Sequence, residues 1–375
     1  MRYLKRVLTA VLCIMLITSS ISVLAAETKT STKTIYLSDA VKTALENNSN
    51  IKNLNEKINL AQRRYKYASD QSLYAESKYG NTYEEHVESK KQQYLYPMQR
   101  KFELDELIWQ KSEAERNLKV NVTKLYYQIN NKTEQITLQD KVIQSLNDEY
   151  SVKKKQAEAG IIAESALLTL EIRLDEEEFR LSSYKNDLQI LIMDMNKLLG
   201  YDIDQKLNVK SIEIPQPDLP DIDIDELVEQ AVSQAHSVKK LEAEKAIKEK
   251  EYWIVSTFSE KPSNADSIAE QLIDYDYDLR DEKVAVDYKI RSEYNNILNL
   301  RDEITIKKLD LDKSDRFLSI TRTKVNLGMQ TALDLSNAQI ERDTAFYNYR
   351  KALLDYYIAV LNFNTYLESM GVTIS

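Results

Sequence analysis

Apolar residues recur along most of this chain at intervals of three, four and seven, which is the spacing of helices that pack along a seam. Before residue 160 the apolar positions are Leu118, Val122, Leu125, Ile129, Ile136 and Ile143. After it they fall at strict sevens, at Leu167, Leu174, Leu181, Leu188 and Met195. A period of about 3.5 residues indicates left-handed supercoiling, so the pattern predicts long coiled-coil helices whose apolar stripes form the core.

Two glycines separate long helical runs of this kind. Gly160 stands between the two runs described above, and Gly328 has the same place in a later stretch, "VNLGMQTALDLSNAQIERD". Glycine adopts the left-handed backbone that a tight helix-to-helix turn needs. Each glycine therefore predicts the tip of a long antiparallel hairpin, and the candidate tip residues are Ala159, Gly160, Leu327 and Gly328.

The sequence contains an internal repeat. Residues 37–65 align without gaps with residues 224–252, and further along residues 160–175 align with residues 328–343. Two ungapped matches in the same order predict two tandem copies of one helical unit. The identities are Val41/Val228, Ala44/Ala231, Leu54/Leu241, Tyr65/Tyr252, Gly160/Gly328, Leu167/Leu335, Ile172/Ile340 and Asp175/Asp343.

A proline-rich segment separates the two copies. Pro215, Pro217 and Pro220 exclude a continuous helix and predict an extended linker. The predicted organisation is a signal peptide over residues 1–25, a first helical repeat over 26–210, the linker over 211–223 and a second helical repeat over 224–375.

Composition supports the helical prediction. Charged residues make up 30% of the 375 positions, whereas glycine and proline occur only five times each. Such a chain favours long helices over a β fold with many turns. The predicted fold class is all-α, with long antiparallel coiled-coil hairpins in two tandem repeats and little or no β structure.

The N-terminus has the features of an export signal. Arg2, Lys5 and Arg6 precede an apolar run, and small residues at Ala25 and Ala26 offer a cleavage site. The alternative is an uncleaved anchor helix, because the apolar run is just long enough to span a bilayer. The chain's one cysteine, Cys13, lies within this run, so a processed protein would have no thiol chemistry.

Charge restricts the partners of the exported protein. The formal net charge is -9, and removal of the three N-terminal cations would make it more negative. Nucleic acids and anionic membrane surfaces repel an acidic protein, so neither is expected as a partner. The expected location is the cell envelope: the periplasm, the wall or the outer membrane.

The signal sequence, the repeat, the glycine tips and the proline-rich joint together resemble the TolC-like outer-membrane efflux family. The segments that carry the resemblance are "LSDAVKTALENNSNIKNL" at the start of the first copy, "LSSYKNDLQILIMDMNKLLGYD" at the end of its hairpin, and "VNLGMQTALDLSNAQ" at the second tip. The resemblance covers nearly the whole chain after the signal sequence, although its motifs are loose patterns of residue type.

The resemblance implies a partner set and a possible gate. In the family three protomers form a hollow helical cylinder, whose helix turns meet a membrane-fusion-type adaptor fed by an inner-membrane pump. Aspartates narrow the entrance of that cylinder. By this resemblance Asp334 matches the first gate position and Asn337 departs from the second, while Ala166 and Thr169 stand at the corresponding places in the first copy. The alternative is that Asp334 only favours the start of a helix after the turn.

The chain also departs from the family. Two spanning strands in each repeat would need more than about 20 residues, because one spanning strand takes about 9–11. The second copy has only "WIVSTFSEKPSN" at the corresponding place, and the 31 residues of the first copy show no apolar alternation. Direct membrane insertion as a β-barrel is therefore not expected.

Catalytic chemistry is not expected from this sequence. His86 and His236 are the only histidines, they lie in different copies, and no cysteine accompanies them, so a zinc site is improbable. No nucleotide-binding or nucleophile motif is present, and no cofactor is predicted. The acidic run "DYDYDLRDEK" lacks the glycine of a calcium loop and predicts a solvated helix face.

Two functions remain open from the sequence. The first is a transport duct of TolC type, in which the helix tips dock an adaptor. The second is an exported structural coiled-coil protein of the envelope, which interacts with partners and conducts nothing. The first, a trimeric duct, predicts a wide lumen with a polar, acidic inner face. The second predicts hairpins that close on themselves, with apolar seams on both faces and no ring.

Overall fold

A computed structural model describes residues 32–75, 82–217 and 222–372 of the chain. The predicted signal peptide over 1–25 lies outside the described residues. The helices are α1 (Leu37–Asn47), α2 (Ser49–Ala75), α3 (Tyr83–Lys90), α4 (Tyr96–Glu158), α5 (Ser165–Leu199), α6 (Ile224–Gln234), α7 (His236–Phe258), α8 (Asp266–Asn326) and α9 (Ala332–Ser369). The strands are β1 (Lys33–Ile35) and β2 (Leu207–Val209). The prediction of an all-α fold with little β structure is confirmed.

The heptad pattern of the sequence becomes two long hairpins. Helix α4 has 63 residues and returns as α5, and α8 has 61 residues and returns as α9. A helix of 63 residues is about 95 Å long at the usual rise of about 1.5 Å per residue. Leu118, Val122 and Ile129, which the sequence pattern assigns to the seam of α4, are buried.

The four long helices lie side by side. Helix α4 packs along α5 on one side and along α9 on the other, and α9 packs in turn along α8. The order across this layer is therefore α5, α4, α9, α8. Ion pairs join the two hairpins at the α4–α9 boundary: Lys141 Nζ lies 2.6 Å from Oδ2 of Asp343, and Arg350 pairs with Glu134. Helices α5 and α8 form the two edges of the layer.

The first repeat is held together where the strands cross its helices. Strands β1 and β2 pair in parallel, with Lys33 opposite Leu207 and Ile35 opposite Val209. Tyr126 of α4 is fully buried beneath them, and its hydroxyl donates to the carbonyl oxygens of Lys210 at 2.7 Å and Ile35 at 3.3 Å. The strands thus fix α4 to the chain on both sides of the first hairpin.

A second core lies around α6, α7, α8 and α9 and includes Tyr127 of α4. Residues 211–217, at the start of the predicted linker, contain neither helix nor strand, while Pro220 lies outside the described residues. The hydroxyl of the buried Tyr356 on α9 donates to the carbonyl oxygen of Pro217 at 2.9 Å. The core side chains include Ala231, Val238, Ile290, Ile297, Val360 and Phe363.

The end of the molecule away from the tips is also helical. Those extra residues of the first copy that the structure describes form the end of α2, the short α3 and a π-helical turn over Lys91–Leu95. A 3₁₀ turn over Pro262–Ala265 has the corresponding place in the second copy. Leu95 and Ile254 are buried together there, so a small core joins the two copies at this end.

Candidate functional site

The first hairpin turns at Gly160, as its sequence predicts. Gly160 has φ +72°, its N–H donates to Ala157 at 2.9 Å, and the N–H of Ile161 donates to Gln156 at 2.8 Å. This pair of bonds is the Schellman motif, which closes a helix C-terminus on a left-handed residue. A Cβ at Gly160 would meet no neighbouring atom, so the glycine is required for its backbone angle and not for space.

The second hairpin turns in the same way. Gly328 has φ +71°, its N–H donates to Val325 at 2.9 Å, and the N–H of Met329 donates to Lys324 at 2.8 Å. The two tips therefore share one backbone geometry, and all four predicted tip residues are exposed.

Each tip presents an apolar side chain that the sequence analysis missed. Ile161 and Met329 directly follow the two glycines and are both 72% exposed. In a Schellman motif this position commonly packs on an apolar residue five positions earlier. Here those earlier residues are Gln156 and Lys324, so the usual apolar contact is not made. A glycine followed by an apolar residue, with a polar residue in the last helical turn, was the signal that could have found them.

The tips differ at the start of the returning helix. Asp334 Oδ2 accepts hydrogen bonds from the N–H and the hydroxyl of Thr331, both at 2.8 Å, and the N–H of Asp334 donates to Thr331 Oγ1 at 3.1 Å. This is a capping box. The hydrogen bonds from Thr331 lower the pKa of the Asp334 carboxyl. At the first tip, Glu164 begins α5 without a side-chain cap.

Asn337 lies three residues beyond Asp334 and is exposed. Its Oδ1 accepts a long hydrogen bond of 3.5 Å from Ser145 on α4, and the adjacent Ser336 donates to the same serine at 3.0 Å. Residues three apart share a helix face, so Asp334 and Asn337 lie on one side of α9. Asp334 and Asn337 both make hydrogen bonds within the chain. Asn337 lies at the boundary between the two hairpins.

The edge helices carry apolar stripes that their own chain leaves exposed. On α5 the stripe is Leu168, Ile172, Phe179, Ile190 and Met193. On α8 it is Ile273, Tyr277, Val284, Tyr288, Ile306, Leu309, Phe317 and Ile320. With about 3.6 residues per turn, each set falls on one helix face, about half a turn from the buried residues of the same helix. Both edges thus turn an apolar face away from the layer.

Comparison with solved structures shows what this layer resembles. The outer-membrane channel OprN matches with a TM-score of 0.63 and 12% identity, over 89% of this chain and 89% of that chain. The Campylobacter jejuni CmeC outer membrane channel matches with a TM-score of 0.62 and 11% identity, over 89% and 85%. The Vibrio cholerae outer membrane protein VceC matches with a TM-score of 0.57 and 11% identity, over 90% and 97%.

The chain has a TolC-like fold.

The TolC-like fold confirms, at the level of the fold, the resemblance to the efflux family that the sequence indicates. The sequence matches no protein-family model and none of the curated proteins, so the likeness lies in the architecture. OprN and CmeC are outer-membrane channels. Among the described residues no helix is both long and apolar enough to cross a membrane.

Another polar cluster of this TolC-like chain lies between the two repeats. The rings of Trp109 and His236 stack at 3.7 Å with an angle of 5°, and Nε2 of His236 lies 2.8 Å from Oε1 of Glu106, outside hydrogen-bond geometry. Lys240 Nζ lies 3.9 Å from the other oxygen of Glu106. Within the described ranges no group of three or more metal-binding side chains is positioned to hold an ion.

Acidification is expected to reduce the stability of the folded chain through the burial of His236. Burial lowers the pKa of His236 below its usual 6.5, although Glu106 opposes the shift. The folded chain thus binds this proton less readily than the unfolded chain, so stability is lost as the pH falls below about 6.5. We expect the urea midpoint to fall between pH 7.5 and pH 5.5, and to fall less in His236→Gln. Equal decreases in both proteins would contradict this role.

Proposed function

We propose that the protein is the helical duct of an export system in the cell envelope, with three copies closed side by side into a cylinder. The observation that supports this most directly is the pair of apolar stripes on the open edges of a TolC-like layer. Monomeric proteins rarely leave long apolar surfaces exposed, because their burial is favourable by roughly 25 cal/mol per Å².

The stripes are suited to one kind of association. The α5 stripe from Leu168 to Met193 extends about 38 Å along its helix, and the α8 stripe is longer still. Because the two edges differ, the α5 edge of one copy would pack on the α8 edge of the next. Such a heterologous contact generates a ring when the rotation closes. That the ring contains three copies is inferred from the resemblance to the efflux family.

The tips are the proposed docking site for the adaptor. Ala159, Gly160, Leu327 and Gly328 form the exposed turns, and Ile161 and Met329 add apolar side chains beside them. An apolar anchor surrounded by polar residues is typical of protein interfaces. We propose that a membrane-fusion-type adaptor binds here and connects the duct to an inner-membrane pump.

The proposed location is outside the cytoplasm. It rests on the basic and apolar residues at the N-terminus, which leave open whether the segment is cleaved or remains as an anchor. The envelope is also where an adaptor and a pump would meet the tips.

Sedimentation of the protein purified from the host envelope tests the assembly. The duct predicts a mass of three chains that persists at low micromolar concentration. A monomer across that range would instead favour the exported coiled-coil protein without conduction, since a single layer encloses no passage.

Asp334 offers a separate test of the gate. If three Asp334 carboxylates meet in a ring, Asp334→Asn should reduce cation selectivity, because the focused negative potential is lost. Thr331→Ala disrupts the same capping box and keeps the carboxylate, so it should leave selectivity unchanged. The measurement is the export of a cationic and an anionic dye of similar size from host cells that carry each variant as their only copy. Equal behaviour of Asp334→Asn and the unmodified protein would assign Asp334 to capping alone.

A further inference from the structure

A groove lies between α2 and the start of α4, at the end of the molecule away from the tips. Its volume is about 600 Å³. The side chains that line it are of three kinds: arginines, glutamines and rings or aliphatic groups. They include Arg63, Arg64, Arg100, Gln71, Gln92, Gln99, Leu60, Tyr67 and Tyr96. None of the described residues that line it is acidic.

The groove has an excess of positive charge. Glu103, just outside it, pairs with Arg64 at 3.2 Å and with Arg100 at 2.8 Å. Arg63 is exposed and has no hydrogen-bond or ion-pair partner among the described residues. Glu88 also lies beside the groove, where the hydroxyl of Tyr96 is 3.0 Å from both of its carboxylate oxygens. Three guanidinium groups thus face two carboxylates among the described residues, and the glutamines supply further donors. Arginine and amide groups in this arrangement bind phosphate oxygens.

Exposed aromatic and aliphatic side chains surround the same end of the molecule: Tyr67, Leu73, Tyr74, Tyr83, Tyr94, Tyr252 and Trp253. Lysines lie over two of these rings. Lys250 Nζ is 4.8 Å from the ring centre of Trp253, and Lys90 Nζ is 5.6 Å from that of Tyr94. Tyrosine and tryptophan with nearby basic residues are typical of the boundary between water and lipid.

The charges close to the groove decide whether this end of the molecule can bind an anionic surface. The whole chain carries a formal charge of -9, which argues against an anionic surface. Charges in water act over only about 8 Å at physiological ionic strength, however, so the groove is governed by its own arginines and not by distant carboxylates. The net charge of the whole chain therefore does not decide which surfaces this end can bind.

We propose that the groove binds the phosphate of an anionic phospholipid and seats the α2–α3 end of the protein on a membrane surface. The arginines and glutamines would hold the headgroup. Leu60 and the ring of Tyr67 would contact its glycerol and the first methylenes of an acyl chain. A soluble phosphate would use only the polar part and would leave the surrounding aromatic rings in water, which is why a lipid is the favoured occupant.

Vesicle flotation of the full chain tests the proposal. We expect tighter binding to vesicles that contain phosphatidylglycerol than to pure phosphatidylcholine vesicles. Arg63→Gln should weaken binding to the anionic vesicles about fivefold, the usual contribution of one basic residue near such a surface. Arg173→Gln, an exposed arginine of α5 that lies outside the groove, is the matched control and should bind like the unmodified protein. Residues 1–31 are common to all three proteins, so the differences isolate the groove.

Two further measurements distinguish a lipid from other anions. Tyr67→Ser should weaken binding to both kinds of vesicle, because the ring contribution does not depend on lipid charge. Calorimetry with inorganic phosphate should show at most weak binding. The proposal is overturned if Arg63→Gln and Tyr67→Ser both bind vesicles normally, or if Arg63→Gln loses phosphate binding while vesicle binding is unchanged.

Discussion

A single glutamate on the apolar stripe of either edge helix is expected to convert the assembled protein into monomers. Phe179→Glu changes the α5 edge and Leu309→Glu changes the α8 edge, where these side chains are 77% and 64% exposed in one chain. In the assembly each carboxylate would be buried against apolar side chains without a cation. Burial of an unpaired charge costs several kcal/mol per contact, enough to dissociate a ring of three. Sedimentation velocity measures the loss of mass.

Mixing the two variants gives a sharper result. The Phe179→Glu chain keeps an intact α8 edge, and the Leu309→Glu chain keeps an intact α5 edge. An equimolar mixture should therefore form dimers through one intact contact and should not close into rings. Ile108→Glu, which changes an exposed residue of α4 within the layer, is the control and should leave the mass unchanged. Monomers in the mixture would argue against contact between unlike edges.

The hairpins could be predicted from the sequence because their signals are local. Leu167 and Leu188 recur at sevens and are both half-buried, and Gly160 turns the chain through a left-handed angle that few other residues adopt. The edge stripe was missed, since Phe179 and Ile190 differ in no local property from apolar residues of the core. A helix sequence shows which faces are apolar, but the partner of each face depends on the arrangement of the layer.

The candidate site could be predicted only in part. The tip glycines follow from backbone chemistry, and Gly160 and Gly328 both have a left-handed backbone angle in the structure. Asp334 is ambiguous in sequence because an aspartate three residues after a threonine is also a capping box, and the structure shows that box. The arginine groove could not be foreseen, because Arg63 and Arg100 come together only when α2 packs on α4, and the net charge of the chain hides them.

Truncation of Tyr126 is expected to cost the most stability of any single change considered. Its ring is fully buried among α1, α4 and α5, and its hydroxyl ties α4 to the strand backbone. Tyr126→Ala removes both and leaves a cavity, for which about 3–5 kcal/mol of unfolding free energy is typical. Tyr126→Phe removes only the hydroxyl and should cost about 1–2 kcal/mol. Urea unfolding followed by circular dichroism gives both values.

The difference between these variants shows what holds the first repeat together. The carbonyl oxygen of Lys210 also accepts a hydrogen bond from Asn130 Nδ2 at 3.3 Å, so it keeps one donor when the tyrosine hydroxyl is lost. No other side chain replaces the buried ring of Tyr126. We therefore expect the larger loss of unfolding free energy in Tyr126→Ala. Because assembly would add its own free energy to that of folding, the measurements belong in the Leu309→Glu background, where a monomer is expected. Equal losses in the two variants would place the stability in the hydroxyl, and with it in the strands and not in the helical core.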